Sequence, residues 1–321
     1  MKKSTNPRSD TFRVETIQGS SRTRSEPEKG MEIIFTVCGF SAAAAVFGIT
    51  AYMIFAGAPA IGEIGLGEFL LGTNWRPTAE EPSFGIFYII LTSAVGTLLS
   101  VLLGVPVALM TAVFLAEIAP KRLYQIVRPA VELLAGIPSV IYGLLGSILL
   151  VPAVRLLENR IFAGSDTHQF TGGANLLSAV IVLAIMILPT VVNVSETALR
   201  AVPREYREAS LALGATQMET IFKITMPAAR SGVITGVVLG IGRAIGEAMA
   251  IMMVSGNVVN LPLPFSSVRF LTTGIVTEMS YSSGLHRQAL FSIGLVLFIF
   301  IMAINIVLNT VLKKGAEGSG R

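Results

Sequence analysis

Two ionisable side chains, Arg243 and Glu247, stand in the middle of an apolar run that reads Gly240-Ile241-Gly242-Arg243-Ala244-Ile245-Gly246-Glu247. Four residues apart on a helix, they share one face. A charge at the centre of a bilayer costs on the order of 3 kcal/mol or more unless it faces protein or a water-filled interior. The planar guanidinium fork of Arg243 suits phosphate and similar oxyanions. Glu247 would orient that fork and partly neutralise it while no anion is bound. The plainer alternative is a structural ion pair holding two helices together. Gly240, Gly242 and Gly246 carry no bulk, so a helix or a ligand can approach the backbone closely.

A second group of residues lies in the loop of residues 195–231, SETALRAVPREYREASLALGATQMETIFKITMPAARS. Pro203 suits the first turn of a short helix, with Glu205 and Glu208 favourable near its positive end. Ala209, Leu211, Ala212 and Leu213 give a small apolar side, and Gly214 stands where a C-terminal cap belongs. Thr216 and Glu219 have capping-box spacing for a second helix. That helix carries Met218, Ile221, Phe222 and Ile224 at helical spacing, and Pro227 stops it. By pattern alone this is an amphipathic connector on the membrane.

Other chemistry finds no support. Cys38 is the sole cysteine of the chain, so neither an intrachain disulfide nor a cysteine metal site can form. His168 is isolated, and no Ser–His–Asp or Cys–His constellation is present. Glu278 and His286 read as solvated loop residues, Arg128 and Glu132 as a helix-end pair, and Glu196 as facing the cytoplasm. A Gly-x-x-x-x-Gly-Lys-Ser/Thr phosphate loop is absent, so any ATP hydrolysis must come from a partner, which would bind the ATP and Mg. No cofactor is expected in this chain.

The elements that must position these residues are membrane helices. Of the 321 residues, 52% are hydrophobic and 14% charged, and the mean hydropathy is +0.71. Soluble domains carry about 25% charged residues, so lipid must solvate much of this chain. The sequence predicts an all-α polytopic bundle of six spans, at about 33–55, 84–115, 130–151, 176–194, 232–254 and 289–312, each near or above the ~20 residues that cross a bilayer. Barrel-like alternation is absent. Pro106, Pro138 and Pro189 fall inside spans and predict bends. Residues 1–30 read as a polar cytoplasmic tail without apolar periodicity, 31–83 as the first span with an external loop, 84–312 as the transmembrane core and 313–321 as a second tail. A signal peptide ending at Ala56-Gly57-Ala58 is the rival for the first span, but the run exceeds the ~7–15 apolar residues of such peptides. Trp75 suits the headgroup zone. With the N-terminus inside, 18 Lys and Arg fall on inner segments and 5 on outer ones, which puts both termini in the cytoplasm. The basic balance therefore reflects orientation and not nucleic acid.

The order Glu208-Ala209-Ser210, three residues, Gly214, nine residues, Ile224-Thr225-Met226-Pro227 resembles the EAA loop of bacterial ABC importer permeases. The family pattern is Glu-Ala-Ala, three residues, Gly, nine residues, Ile-x-Leu-Pro, and Ser210 and Met226 depart from it with similar size. The resemblance implies that this loop docks in a groove of a separate ATPase, with Ala209 permitting close approach and Glu208 offering a charge. GRAIGEAMAIMMVSGN at 242–257, SGLHRQAL before the last span, and VELLAGIPSVIYGL at 131–144 are similar to phosphate importer permeases of the PstC type. The likeness covers roughly 84–312. It implies a type I ABC importer permease fold in the bacterial cytoplasmic membrane, with Arg243 and Glu247 on the phosphate path. It implies as partners a PstA-like second permease, two PstB-like ATPases and a PstS-like phosphate-binding protein. The rivals are a permease for molybdate or sulfate, a proton-coupled secondary transporter with Glu247 as carrier, and a membrane scaffold or sensor without flux.

Overall fold

The computed structural model describes the backbone of residues 26–317 and the side chains of residues 30–307 and of Thr310. Of the expected N-terminal tail only residues 26–30 are described, and they already belong to the first helix; of the expected C-terminal tail, 313–317 continue the last one. The chain divides into two compact units, Met1–Thr50 and Ala51–Arg321.

Helix α1 spans Glu26–Ile64 and crosses the boundary between the units. It runs well past the expected residue 55 because nothing stops it before Gly65, whose φ of +87° is a left-handed conformation that suits glycine. A short helix α2 (Leu66–Leu71) and a two-stranded hairpin follow, with β1 (Trp75–Arg76) antiparallel to β2 (Ser83–Phe84). Otherwise the described chain is helical, as expected.

Helix α3 (Phe87–Val113) runs on through Pro106 and ends in a five-residue π turn, Phe114–Ile118. The third span departs from expectation. Residues Lys121–Gly136 form a separate amphipathic helix, α4, and the chain breaks at Ile137 and Pro138, both in extended conformation. The long apolar helix that follows consists of α5 (Ser139–Leu145), a π turn (Gly146–Leu150) and α6 (Val151–Ile161). Hydropathy placed this span at 130–151 because it cannot see that Pro138 has no N–H and biases its predecessor to extended backbone.

Helix α7 (Leu176–Arg200) is the hub: 61% of its apolar window is buried within the chain, against 33% for α3 and 22% for the last helix. Asn175 caps its start, its side chain accepting from Ser178 N–H at 3.1 Å. Small residues let the hub's neighbours close in. A Cβ on Gly104 of α3 would stand 2.9 Å from the Ala184 carbonyl oxygen, and one on Gly240 would stand 2.6 Å from Val191.

After α7 come α8 (Arg204–Ala212), α9 (Gln217–Thr220), a π turn (Ile221–Thr225) and α10 (Met226–Ala228). The chain bends by 72° into α11 (Arg230–Gly246). Then follow α12 (Met249–Val254), α13 (Leu271–Glu278) and α14 (Gly284–Glu317). Five described helices are long and apolar enough to cross a membrane, and six spans result when the bent pair ending in α11 counts as one.

Candidate functional site

The expected fifth span is two helices and not one. Helix α11 ends at Gly246, Glu247 is extended (φ −74°, ψ 131°), and α12 restarts at Met249. Three glycines within seven residues weaken the helix here, and the groups freed by the break find partners. The Glu247 carboxylate accepts from Ala250 N–H at 3.0 Å, and the Glu247 carbonyl accepts from the Thr272 hydroxyl at 2.8 Å. Such internal satisfaction is what a break inside a membrane requires.

The break corrects the expected Arg243–Glu247 pairing. Helical spacing ends between them, so Glu247 leaves the face of Arg243 and caps α12 instead. Arg243 is half-buried and has no hydrogen bond or ion pair among the described residues. It sits in the last turn of α11, where the helix dipole favours a cation. Gly242 and Gly246 beside it are exposed. The hydroxyl of nearby Tyr142, within electrostatic reach of Arg243, donates to the Leu134 carbonyl at 2.6 Å. An unpaired guanidinium at a helix break, flanked by glycine, can receive an anion without first displacing a carboxylate.

The 195–231 loop folds much as its pattern predicts. Pro203 directly precedes α8, and Gly214 takes φ +88° after its end. Thr216 and Glu219 form the full capping box: the Thr216 hydroxyl accepts from Glu219 N–H at 3.3 Å and the Glu219 carboxylate accepts from Thr216 N–H at 3.1 Å. The Ser210 and Thr220 hydroxyls lie 2.9 Å apart and tie the two short helices together. Glu208 and Ala209 are exposed, and Leu213 shows 90% of its surface. Tyr206, Ala209, Leu213, Ala215 and Ile224 line a groove of about 400 Å³. Pro227 lies one residue from the end of α10, just before the 72° bend. An exposed apolar ridge of this kind, rimmed by charge, has the character of a contact surface for protein or membrane.

Residues 104–314 match the model of the family described as "Binding-protein-dependent transport system inner membrane component". The chain belongs to that family. It is 38% identical over 299 residues, 90% of this chain and 94% of the other, to the probable ABC transporter permease protein YqgH of Bacillus subtilis. It is 33% identical to the phosphate transport system permease protein PstC of Pasteurella multocida, over 79% of this chain and 82% of that one. Among solved structures, a bacterial ABC transporter involved in import of the acidic polysaccharide alginate covers 90% of this permease at a TM-score of 0.55 and 16% identity. The MetNI methionine ABC transporter in an inward-facing form gives 0.52 over 71% of it at 20% identity. These likenesses establish the type I ABC importer permease fold. The permease is a transport component of the inner membrane, not an enzyme, and its family works with an ATPase and a substrate-binding protein.

Three clusters in the permease differ from expectation. Glu196 does not face solvent: it is buried in α7, and its Oε1 accepts from Arg128 at 3.0 Å and from Arg200 at 2.8 Å. Arg128 also holds Glu132 at 2.8 Å, the expected helix-end pair. The Glu132 carboxylate and the Tyr124 hydroxyl raise the Arg128 guanidinium further above its ordinary pKa, so it stays charged. Glu278 and His286 are not solvated either. They are 5% and 8% exposed, and His286 Nε2 lies 2.8 Å from Glu278 Oε2. Trp75 is buried against them, its indole N–H donating to Glu278 at 2.9 Å, so its ring is not half wet as expected. Arg269 completes this cluster by pairing with Glu278 Oε1. Finally, His168 is not isolated: its Nε2 lies 3.0 Å from Oε1 of fully buried Glu158, which also accepts from Thr171 N–H at 2.9 Å.

Proposed function

We propose that this permease moves inorganic phosphate inward across the cytoplasmic membrane, as one half of a pair with a PstA-like subunit. Two PstB-like ATPases would dock on the coupling loop through Glu208, Ala209, Ser210, Gly214, Ile224 and Pro227, and would bind the ATP and Mg. A PstS-like binding protein would deliver phosphate on the other side. Both termini lie in the cytoplasm in this reading, on the distribution of Lys and Arg.

The observation that carries the proposal is Arg243, a cation in a spanning element without a carboxylate partner among the described residues. A permanently charged planar donor fork suits an oxyanion in passage. Glu247 acts in this reading by holding the break open through Ala250 and not by neutralising Arg243. The PstC names of several relatives, 32–35% identical over most of the chain, point to phosphate among oxyanions.

ATP-dependent uptake of labelled phosphate into vesicles holding the assembled complex tests the reading, with sulfate and molybdate as competitors. Uptake that needs ATP and the binding protein and resists both competitors supports it. Competition by either oxyanion moves the substrate to that anion. Uptake driven by a proton gradient without ATP overturns the ATP-driven mechanism.

A further inference from the structure

The coupling loop is joined by peptide bonds to α7 at one end and to α11 at the other. Helix α3 has no such link, yet it packs along both. What ties it to the loop is a small set of side chains. Arg207 of α8 places Nε at 3.1 Å and Nη2 at 2.6 Å from Glu117 Oε1, in the π turn that ends α3. Gln217 of α9 donates to the Glu117 carbonyl at 3.3 Å. Arg200, at the end of α7, donates to the Leu115 carbonyl in the same turn at 2.8 Å. Both loop helices therefore hold one residue, Glu117.

The Arg207–Glu117 pair is well placed to transmit force. Its side chains are only 20% and 10% exposed, so water screens their attraction little. Two nitrogens of one fork fix direction as well as distance. Two further Arg207 donors are committed, Nη1 to the Val202 carbonyl at 3.0 Å and Nη2 to the Leu199 carbonyl at 2.8 Å. Those bonds close the end of α7 without Glu117. Removing the carboxylate should therefore spare the fold of the loop and remove its strongest hold on α3, leaving the Gln217 and Arg200 bonds to backbone carbonyls.

We propose that the Glu117–Arg207 pair is the joint through which movement of the coupling loop reaches α3, making both positioning residues for transport. The inference rests on the reading of 195–231 as the ATPase-docking loop. Helix α3 lines one side of α7 and α11, with Gly104 seated against Ala184. Carrying α3 along with the loop lets α3, α7 and α11, which bears Arg243, move as one body. Without the joint, α3 follows the loop less closely than the covalently linked helices do.

The test compares Glu117→Ala, Glu117→Gln and Glu117→Asp in the full complex, measuring phosphate taken up per ATP hydrolysed. For Glu117→Ala, subunits should copurify, ATP hydrolysis should stay within about twofold, and uptake per ATP should fall about tenfold, with Gln intermediate and Asp restoring most of it. An unchanged ratio, or loss of the ATPase on purification, overturns the joint. A second readout does not depend on substrate. Spin labels at Met110→Cys on α3 and Glu205→Cys on α8, in a Cys38→Ala background, should keep one narrow separation with and without nucleotide. Glu117→Ala should make that separation change with nucleotide; a separation indifferent to Glu117 overturns the joint. If the unaltered complex takes up no phosphate, the substrate reading fails while the label distances still judge the joint.

Discussion

Trp75 donates its indole N–H to Glu278 across 203 residues of sequence, at 2.9 Å and out of contact with solvent. The bond ties the β1 strand to the end of α13, where Arg269 and His286 hold the same carboxylate. Removing the acid takes the shared partner from three cationic or polar groups in a buried place, Trp75, Arg269 and His286. Glu278→Ala is therefore expected to destabilise the protein by about 3–5 kcal/mol, the range for breaking one partner of a buried charge cluster. Trp75→Phe keeps the edge-on packing against Phe84 and loses only the donor, about 1.5–3 kcal/mol for a hydrogen bond to a charge. Thermal unfolding of the purified chain in detergent orders the two: Glu278→Ala below Trp75→Phe below the unaltered protein. Equal midpoints for all three would mean that the cluster is solvated in the membrane protein.

Arg243→Gln is expected to abolish ATP-dependent phosphate uptake, by about tenfold or more, since one charge-assisted contact to an anion is removed. Because Arg243 holds no carboxylate among the described residues, the complex should still assemble. Arg243→Lys keeps the charge and loses the fork, so uptake should fall less. Uptake assays and size-exclusion profiles of the same preparations decide it. A complex that falls apart on Arg243→Gln would return Arg243 to a structural role across the subunit interface.

Local features of this protein were legible in its sequence, and pairings were not. Gly214 and the Thr216–Glu219 capping box depend on neighbours within a few residues, and the structure holds them as the spacing predicts. Spans appear because hydropathy sums over about 20 residues. The same averaging hides a break of one or two residues, so Glu247 and Pro138 went unseen as helix ends, and the Arg243–Glu247 face with them. Glu117, Glu196 and Glu278 meet Arg207, Arg128 and Trp75 on distant segments, which no periodicity reports. The one available signal was indirect: an acidic residue near an apolar span calls for a partner.

The capping box makes a prediction about pH. Glu219 lies in the coupling loop, outside the spans, and its carboxyl is held at about 2, first by the Thr216 N–H and then by Lys223. A folded-state value below the unfolded one, about 4.3, means that the cap stabilises the loop above that unfolded value. The contribution is lost as pH falls towards about 2. Carbon-13 resonances of labelled glutamate should show Glu219 untitrated down to about pH 3, where ordinary glutamates have largely protonated. Thr216→Ala removes the hydroxyl partner but keeps the backbone N–H, so the titration should rise only part of the way. A normal Glu219 titration in the unaltered protein would mean that the box is not formed in solution.

Glu208 tests the docking surface from the charge side. It is exposed on α8, has no side-chain partner among the described residues, and lines a polar cavity with Arg200, Arg204 and Arg207, next in sequence to Ala209 of the apolar groove. With no bond to break inside the permease, Glu208→Lys should leave the melting temperature of the isolated chain unchanged within error. Against an ATPase surface that accepts a carboxylate, reversal places like charges together, which costs several kcal/mol at an interface. Copurification of the ATPase should then fall at least about tenfold. Leu213→Asp, which puts a charge on the most exposed apolar residue of the ridge, should have a similar effect through desolvation. The two measurements are needed together. A lowered melting temperature would show that these residues support the loop itself, whereas lost association at constant stability places the contact on the ATPase. Full association with both variants would remove the ridge from the interface and leave the groove facing lipid or the second permease.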